Sequence, residues 1–184
     1  MAPAELAAVA FGLAYILLAI REHRACWIAG GISTALYAGV FLGAGLSMQA
    51  ALQVVYVAMS AWGYFAWRRD AVAAAPVRRW RLRQHLLALS GVGFATAISA
   101  PLIARYALAA APVADSLGTW ASLVATWLLA RRVIDTWAWW IVIDAGLAGL
   151  FFSQGLAATA ALYLAFSLLA VAGWRSWQTG KVAS

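Results

Sequence analysis

One carboxylate lies deep inside an apolar stretch of this chain: Asp144, in WAWWIVIDAGLAGLFF. A charged group in the middle of a bilayer costs about 2.5 to 3.5 kcal/mol on insertion scales, so it must face protein or a wet cavity. There it would contact a cationic or hydroxyl-bearing solute, or else hydrogen-bond a neighbouring helix. A second polar set, Gln53, Tyr56, Ser60 and Tyr64, recurs at three- and four-residue spacing and so lies along one helix face. The positions 110 residues later are Tyr163, Phe166, Ala170 and Trp174, a largely aromatic face. A polar stripe opposed to an aromatic one across a pseudo-twofold axis suits a flat heterocycle, because rings stack while amides and hydroxyls fix orientation. Helix packing with buried hydrogen bonds explains either stripe alone. A third stripe, Thr119, Ser122 and Thr126, starts near Asp115, and hydroxyls in such a row also bond their own helix backbone.

The remaining reactive residue types form no catalytic constellation. His23 and His85 sit at charged ends with no ligand spacing around either, and the single Cys26 excludes an internal disulfide or a cysteine metal site. Glu22, between Arg21 and His23, reads as a solvated ion pair. There is no GxxxxGK[ST] and no pair of intramembrane carboxylates, so neither an ATPase nor a proton relay is written in the chain. The expectation is a non-enzyme without metal or cofactor. Trp67, Trp137, Trp139 and Trp140 flank basic turns and read as headgroup-depth anchors.

The elements that must position these residues are membrane spans. Hydrophobic residues are 66% of the 184 and charged ones 10%, with a mean hydropathy of +0.85, which excludes an ordinary soluble domain. The net charge of +7 comes from basic residues in loops, so it signals topology and gives no reason to expect nucleic acid. No basic n-region precedes the first apolar run, so that run is expected to be a retained span. At about 20 apolar residues per crossing, seven spans are predicted: Ala4 to Ile20, Trp27 to Gly43, Leu46 to Trp67, Gln84 to Ala104, Val113 to Ala130, Ile134 to Phe152 and Leu156 to Trp177. REHR and RRVID are charged turns, GAG and SQG uncharged ones, and Pro101 and Pro112 bracket a loop holding Arg105 and Asp115.

The chain repeats itself at an ungapped offset of 110: Arg21 on Arg131, Trp27 on Trp137, Gly39 on Gly149, Phe41 on Phe151, Gly63 on Gly173 and Trp67 on Trp177. Internal repeats of this kind recur in membrane transporters. Residues 1–67 are therefore expected to form one three-helix repeat, 68–111 a basic loop and linker helix, and 112–184 a second repeat with a tail. The single fourth span makes this a 3-1-3 arrangement of parallel repeats about an axis along the membrane normal. With alternating spans, twelve basic residues fall on one side and only Arg105 on the other, which predicts an outer N-terminus and a cytoplasmic C-terminus. Gly91, Ala95 and Ser99, four apart, suit close packing of the fourth span.

Three segments, LQVVYVAMSAWGYFAW, ADSLGTWASLVATWLLARRVIDTWAWWIVID and GLAATAALYLAFSLLAVAGWRSW, resemble the PnuC family of bacterial vitamin transporters. The resemblance runs from the second span onward. It implies a 3-1-3, SWEET-like fold, a homotrimer in the bacterial inner membrane, and import of nicotinamide riboside by facilitated diffusion with a cytoplasmic kinase trapping the product. Gln53 matches a family glutamine, Asp144 falls in WIVID and Tyr163 in ALYLAF. Close relatives resemble thiamine and riboflavin transporters, and the ATW around Thr126 departs from the amide-bearing position associated with nicotinamide riboside carriers. The chain is also short, and the extra N-terminal helix that some members carry is not expected in it. The expected function is a uniporter for a vitamin precursor, nicotinamide riboside first and thiamine second, both cationic and so suited to Asp144. A solute-binding membrane subunit served by a separate energising complex, or a proton-coupled carrier using Asp144, are the alternatives.

Overall fold

The apolar runs fold as α-helices: α1 (Pro3–Ile20), α2 (Ala25–Gly43), α3 (Ser47–Arg69), α4 (Leu82–Tyr106), α5 (Pro112–Ala130), α6 (Thr136–Ser153) and α7 (Ala157–Thr179). Their ends lie within two residues of the seven predicted spans. The computed structural model describes residues 3–43, 47–69, 77–106, 111–153 and 157–179. The uncharged turns at 44–46 and 154–156, residues 70–76 of the long basic connection, and Lys181 lie outside them. Three segments, Leu82–Arg105, Pro112–Ala130 and Ala160–Thr179, are long and apolar enough to cross a bilayer, while Leu6–Ile20, Ala25–Val40 and Thr136–Leu150 are shorter apolar helices. Eighteen helical residues still reach about 27 Å, most of a hydrocarbon core of roughly 30 Å.

Arg105 and Asp115, predicted to lie in a loop, are helical. α4 runs through Pro101 to Tyr106, carrying Arg105 in its last turn, and Pro112 opens α5 with Asp115 in its first turn. Proline is tolerated inside membrane helices, and at the first helical position its missing N–H costs nothing. Both charges then sit at the helix ends that the peptide dipoles favour.

The 110-residue offset reappears in the backbone. Glu22, after α1, has φ 53° and Arg132, after α5, has φ 54°, the only non-glycine residues with positive φ among those described. Glu22 N–H donates to the Ala19 carbonyl at 3.0 Å and His23 N–H to Leu18 at 2.9 Å, a Schellman cap; after α5, Val133 N–H donates to Leu128 at 3.0 Å in the same way.

By packing, the chain divides into two compact units: Met1–Val77 with Ala130–Arg132 and Arg175–Ser184, and Arg78–Leu129 with Val133–Trp174. In the first, α2 packs on both α1 and α3. Gly63 on α3 admits the Trp27 indole so closely that a Cβ there would lie 2.5 Å from the ring. Trp27 is also edge-on to Tyr15 at 6.1 Å and to Trp67 at 5.6 Å. In the second unit, Gly173 admits Trp137 in the same manner, at 2.6 Å. Val92, Ala121, Ala125 and Ile143 join α4, α5 and α6 into a core, flanked by Val124, Trp139, Trp140 and Leu147.

Candidate functional site

Asp144 is buried, 6% exposed, and among the described residues no hydrogen bond or ion pair reaches its carboxylate. Two neighbouring helices fix its depth. On α7, Gly173 meets Trp137, and the Ser167 hydroxyl donates to the Ile141 carbonyl at 3.2 Å. Asp144 lies one turn further along that row, so the antiparallel register brings it level with Tyr163 and Phe166. On α5, the Thr136 hydroxyl donates to the Ala125 carbonyl at 2.7 Å, and Gly118 packs against Leu147. That register brings Thr119 and Ser122 to the same depth. Five side chains singled out from sequence, Asp144, Thr119, Ser122, Tyr163 and Phe166, thus share one level of the second unit. Tyr163 and Phe166 are edge-on at 5.8 Å.

Thr126 stands apart. It is buried and its hydroxyl donates to the Ser122 carbonyl of its own helix at 2.8 Å, so its polar group is used within α5. Trp174 is also engaged: the Arg79 guanidinium lies 5.5 Å from its ring centre.

The first unit holds the α3 stripe. Gln53, Tyr56 and Tyr64 are half-buried, and Ser60 is buried against Gly31 of α2. Thr34, the repeat partner of Asp144, donates its hydroxyl to the Gly30 and Gly31 carbonyls of its own helix at 3.0 and 3.2 Å. Arg24 lies 5.8 Å from the Tyr64 ring centre, as Arg79 does over Trp174, the repeat partner of Tyr64. The basic end of each stripe is therefore a cation–π pair.

The belt reading does not hold for Trp67 or Trp137, which are 1% and 3% exposed. Trp67 donates its indole N–H to the Ala130 carbonyl at 3.2 Å, and its repeat partner Trp177 donates to Ala19 at 3.1 Å. Trp139 is half-buried and donates to His85 Nδ1 at 3.3 Å. A tryptophan beside a basic turn looks the same whether it faces headgroups or fills a notch. The distinguishing signal was available, since each of Trp27 and Trp137 recurs together with a glycine, Gly63 or Gly173, at the same offset. Glu22 pairs with Arg132 at 3.9 Å, a partner from the other repeat rather than from its own turn.

Unpredicted as well is the docking of residues 78–85 onto the α5–α6 turn. Ile134 N–H donates to the Arg78 carbonyl at 3.0 Å and Trp80 N–H to Asp135 Oδ2 at 2.7 Å, while His85 Nε2 lies 3.9 Å from the same oxygen.

Among the described residues, seven apolar helices, one of them carrying a buried carboxylate, mark a helical membrane protein. The family model described as nicotinamide mononucleotide transporter matches residues 2–179, and the chain belongs to that family, the PnuC family. It is 27% identical over 173 aligned positions to the riboflavin/roseoflavin transporter RibM of Streptomyces davaonensis, covering 90% of this chain and 80% of that one. It is 25% identical over 193 positions to the nicotinamide riboside transporter PnuC of Escherichia coli, covering 90% and 81%. Its fold is that of the crystal structure of the vitamin B3 transporter PnuC, with a TM-score of 0.75 over 96% of this chain and 80% of that one at 22% identity. These relatives are transporters, and the chain is an integral membrane protein of the same kind.

Proposed function

We propose that the protein carries a vitamin or vitamin precursor across the bacterial inner membrane by facilitated diffusion, with nicotinamide riboside as its first substrate. The observation that carries this reading is the buried Asp144 carboxylate, free of any ion pair among the described residues and level with Thr119, Ser122 and Tyr163. An uncompensated buried carboxylate favours a cationic partner, and nicotinamide riboside carries its positive charge on the ring that Tyr163 and Phe166 would stack against. Thiamine offers the same charge. Riboflavin has a specific claim too, because one relative transports it and the stripe on α7 is aromatic.

The proposed architecture is seven spans in a 3-1-3 arrangement of parallel repeats, SWEET-like, with the N-terminus outside and the C-terminus inside, assembled as a homotrimer. The skewed placement of basic residues supports the orientation. Repeat-related residues that meet each other, Glu22 with Arg132 and Trp67 with Trp177 at 6.2 Å, support a twofold relation between the repeats.

Proteoliposomes holding only this protein test the reading by uptake of labelled nicotinamide riboside, thiamine and riboflavin, with and without a pH gradient. Uptake without partner or gradient is expected, reduced in Gln53→Ala and Asp144→Ala. Dependence on a second protein would favour a solute-binding subunit, and acceleration by a proton gradient a proton-coupled carrier. Wild-type rates in both variants would remove the site.

A further inference from the structure

Four arginines, Arg78, Arg79, Arg81 and Arg83, stand exposed at the start of α4. Ordinarily such a run is a solvated loop, but here its backbone is fixed. Arg78 forms a bridge with Val133 and accepts from Ile134 N–H, Trp80 N–H is held by Asp135, and Arg81 N–H donates to Gln84 Oε1 at 2.8 Å while Gln84 N–H returns to the Arg81 carbonyl at 2.9 Å. The Trp80 ring is wedged between His85 at 5.3 Å and Trp127 at 5.8 Å.

Among the described residues, no acidic group is paired with these guanidinium groups. Neither the His85–Asp135 nor the Arg132–Glu22 ion pair includes them. Asp135, the acid held against this segment, is occupied by Trp80 N–H and His85. Immediately beyond, Leu82, Leu86, Leu87 and Leu89 are all more than half exposed, the apolar surface of a helix entering hydrocarbon. Arginines on a fixed backbone, with no acidic partner among the described residues and at the rim of a lipid-facing helix, match the phosphodiester of an anionic phospholipid, which guanidinium binds in bidentate fashion. Clusters of basic residues flanking a spanning helix read the same way.

We infer that the Arg78–Arg83 segment is a binding site for anionic phospholipid headgroups, with the acyl chains lying along the exposed leucines of α4. The site is separate from Asp144 and the solute, so it stands or falls independently of the proposed transport activity.

The test uses the full chain, purified in a neutral detergent and supplied with phosphatidylglycerol or phosphatidylcholine at equal mole fraction. Native mass spectrometry counts the lipid retained, and thermal unfolding reads the stabilisation. Wild type is expected to retain phosphatidylglycerol severalfold over phosphatidylcholine and to unfold several degrees higher with it. The triple variant R78Q/R81Q/R83Q should lose both preferences, whereas Arg105→Gln, at the other end of α4, should keep them. If the triple variant does not fold, R81Q/R83Q alone should halve the retention or better. Equal retention of the two lipids by wild type, or an undiminished preference in the arginine variants, overturns the inference. So does an equal thermal shift from inorganic phosphate or pyrophosphate, which would make this a site for a soluble anion.

Discussion

Glu22 and Arg132, 110 positions apart, both adopt a left-handed backbone and face each other at 3.9 Å. Each closes a helix cap, and the two caps meet. Arg132 has a second attachment, its guanidinium lying 4.9 Å from the Trp67 ring centre. The partly exposed ion pair contributes about 0.2 to 1 kcal/mol, and the cation–π contact about 0.5 to 2 kcal/mol. Arg132→Gln should therefore lower the unfolding midpoint in detergent more than Glu22→Gln, with Arg132→Lys between them. Equal shifts for the two glutamine variants would show that the Trp67 contact contributes nothing.

Gly63 and Gly173 are notches for tryptophan, and Gly39 and Gly149 are not. A Cβ would approach the Trp27 or Trp137 indole to 2.5 or 2.6 Å in the first pair, and would meet nothing within 4 Å in the second. Neither indole can swing clear, because both are buried. Gly63→Ala and Gly173→Ala should each destabilise by about 1 to 3 kcal/mol or prevent folding, while Gly39→Ala and Gly149→Ala should be neutral or stabilise by up to about 1 kcal/mol through helix propensity. Thermal unfolding of the four variants checks the contrast. Recovery of Gly63→Ala by Trp27→Leu would tie the effect to the ring.

The helices were legible because their signal is local: about twenty apolar residues between charged or glycine-rich turns leave little choice of conformation. The repeat was legible because Trp, Gly and Arg at one fixed offset are improbable in a chain dominated by Ala and Leu. What escaped was tertiary. Whether Trp67 faces headgroups or the Ala130 carbonyl depends on which helix end arrives beside it, and a window around Trp67 holds no trace of Ala130. Asp135 reads as one charge in a basic turn, yet its role is to hold the backbone at Trp80, 55 residues away. Among the candidate site residues, helical spacing groups them on faces, and which neighbour each face meets depends on tertiary registers such as Gly118 on Leu147 and Ser167 on Ile141.

Within the α5 stripe, the hydroxyls are not equivalent. Thr126 is committed to the Ser122 carbonyl, whereas Thr119 and Ser122 lie at the depth of Asp144. Thr126→Val, which keeps the shape, should leave uptake within about twofold, since the hydroxyl it removes serves its own helix. Asp144→Asn should lower uptake of a cationic substrate about 10- to 100-fold, the equivalent of a charge-assisted hydrogen bond of roughly 1.5 to 3 kcal/mol. Initial rates in proteoliposomes decide it. A larger defect in Thr126→Val than in Asp144→Asn would move the solute site up α5.

Asp135 determines whether the arginine segment stays docked. Its Oδ2 accepts from Trp80 N–H at 2.7 Å, and His85 is 3.9 Å from the same atom. A hydrogen bond to a carboxylate is worth about 1.5 to 3 kcal/mol, so its removal should raise the open fraction of residues 77–81 about 10- to 100-fold. Trypsin reads that fraction directly, because cleavage at Arg78, Arg79 and Arg81 needs the backbone released from Ile134 and Asp135, and the rate follows the open population when reclosing is fast. Asp135→Ala should be cut fastest in this segment. Asp135→Asn, which keeps an acceptor but no charge, should fall between it and wild type. Arg105 lies in the last turn of α4, far along the helix from this dock, so its cleavage should be unchanged in every variant. If Asp135→Ala were cut at the wild-type rate, the segment would be held by its bridge to Val133 alone, and the carboxylate's role would then lie with His85.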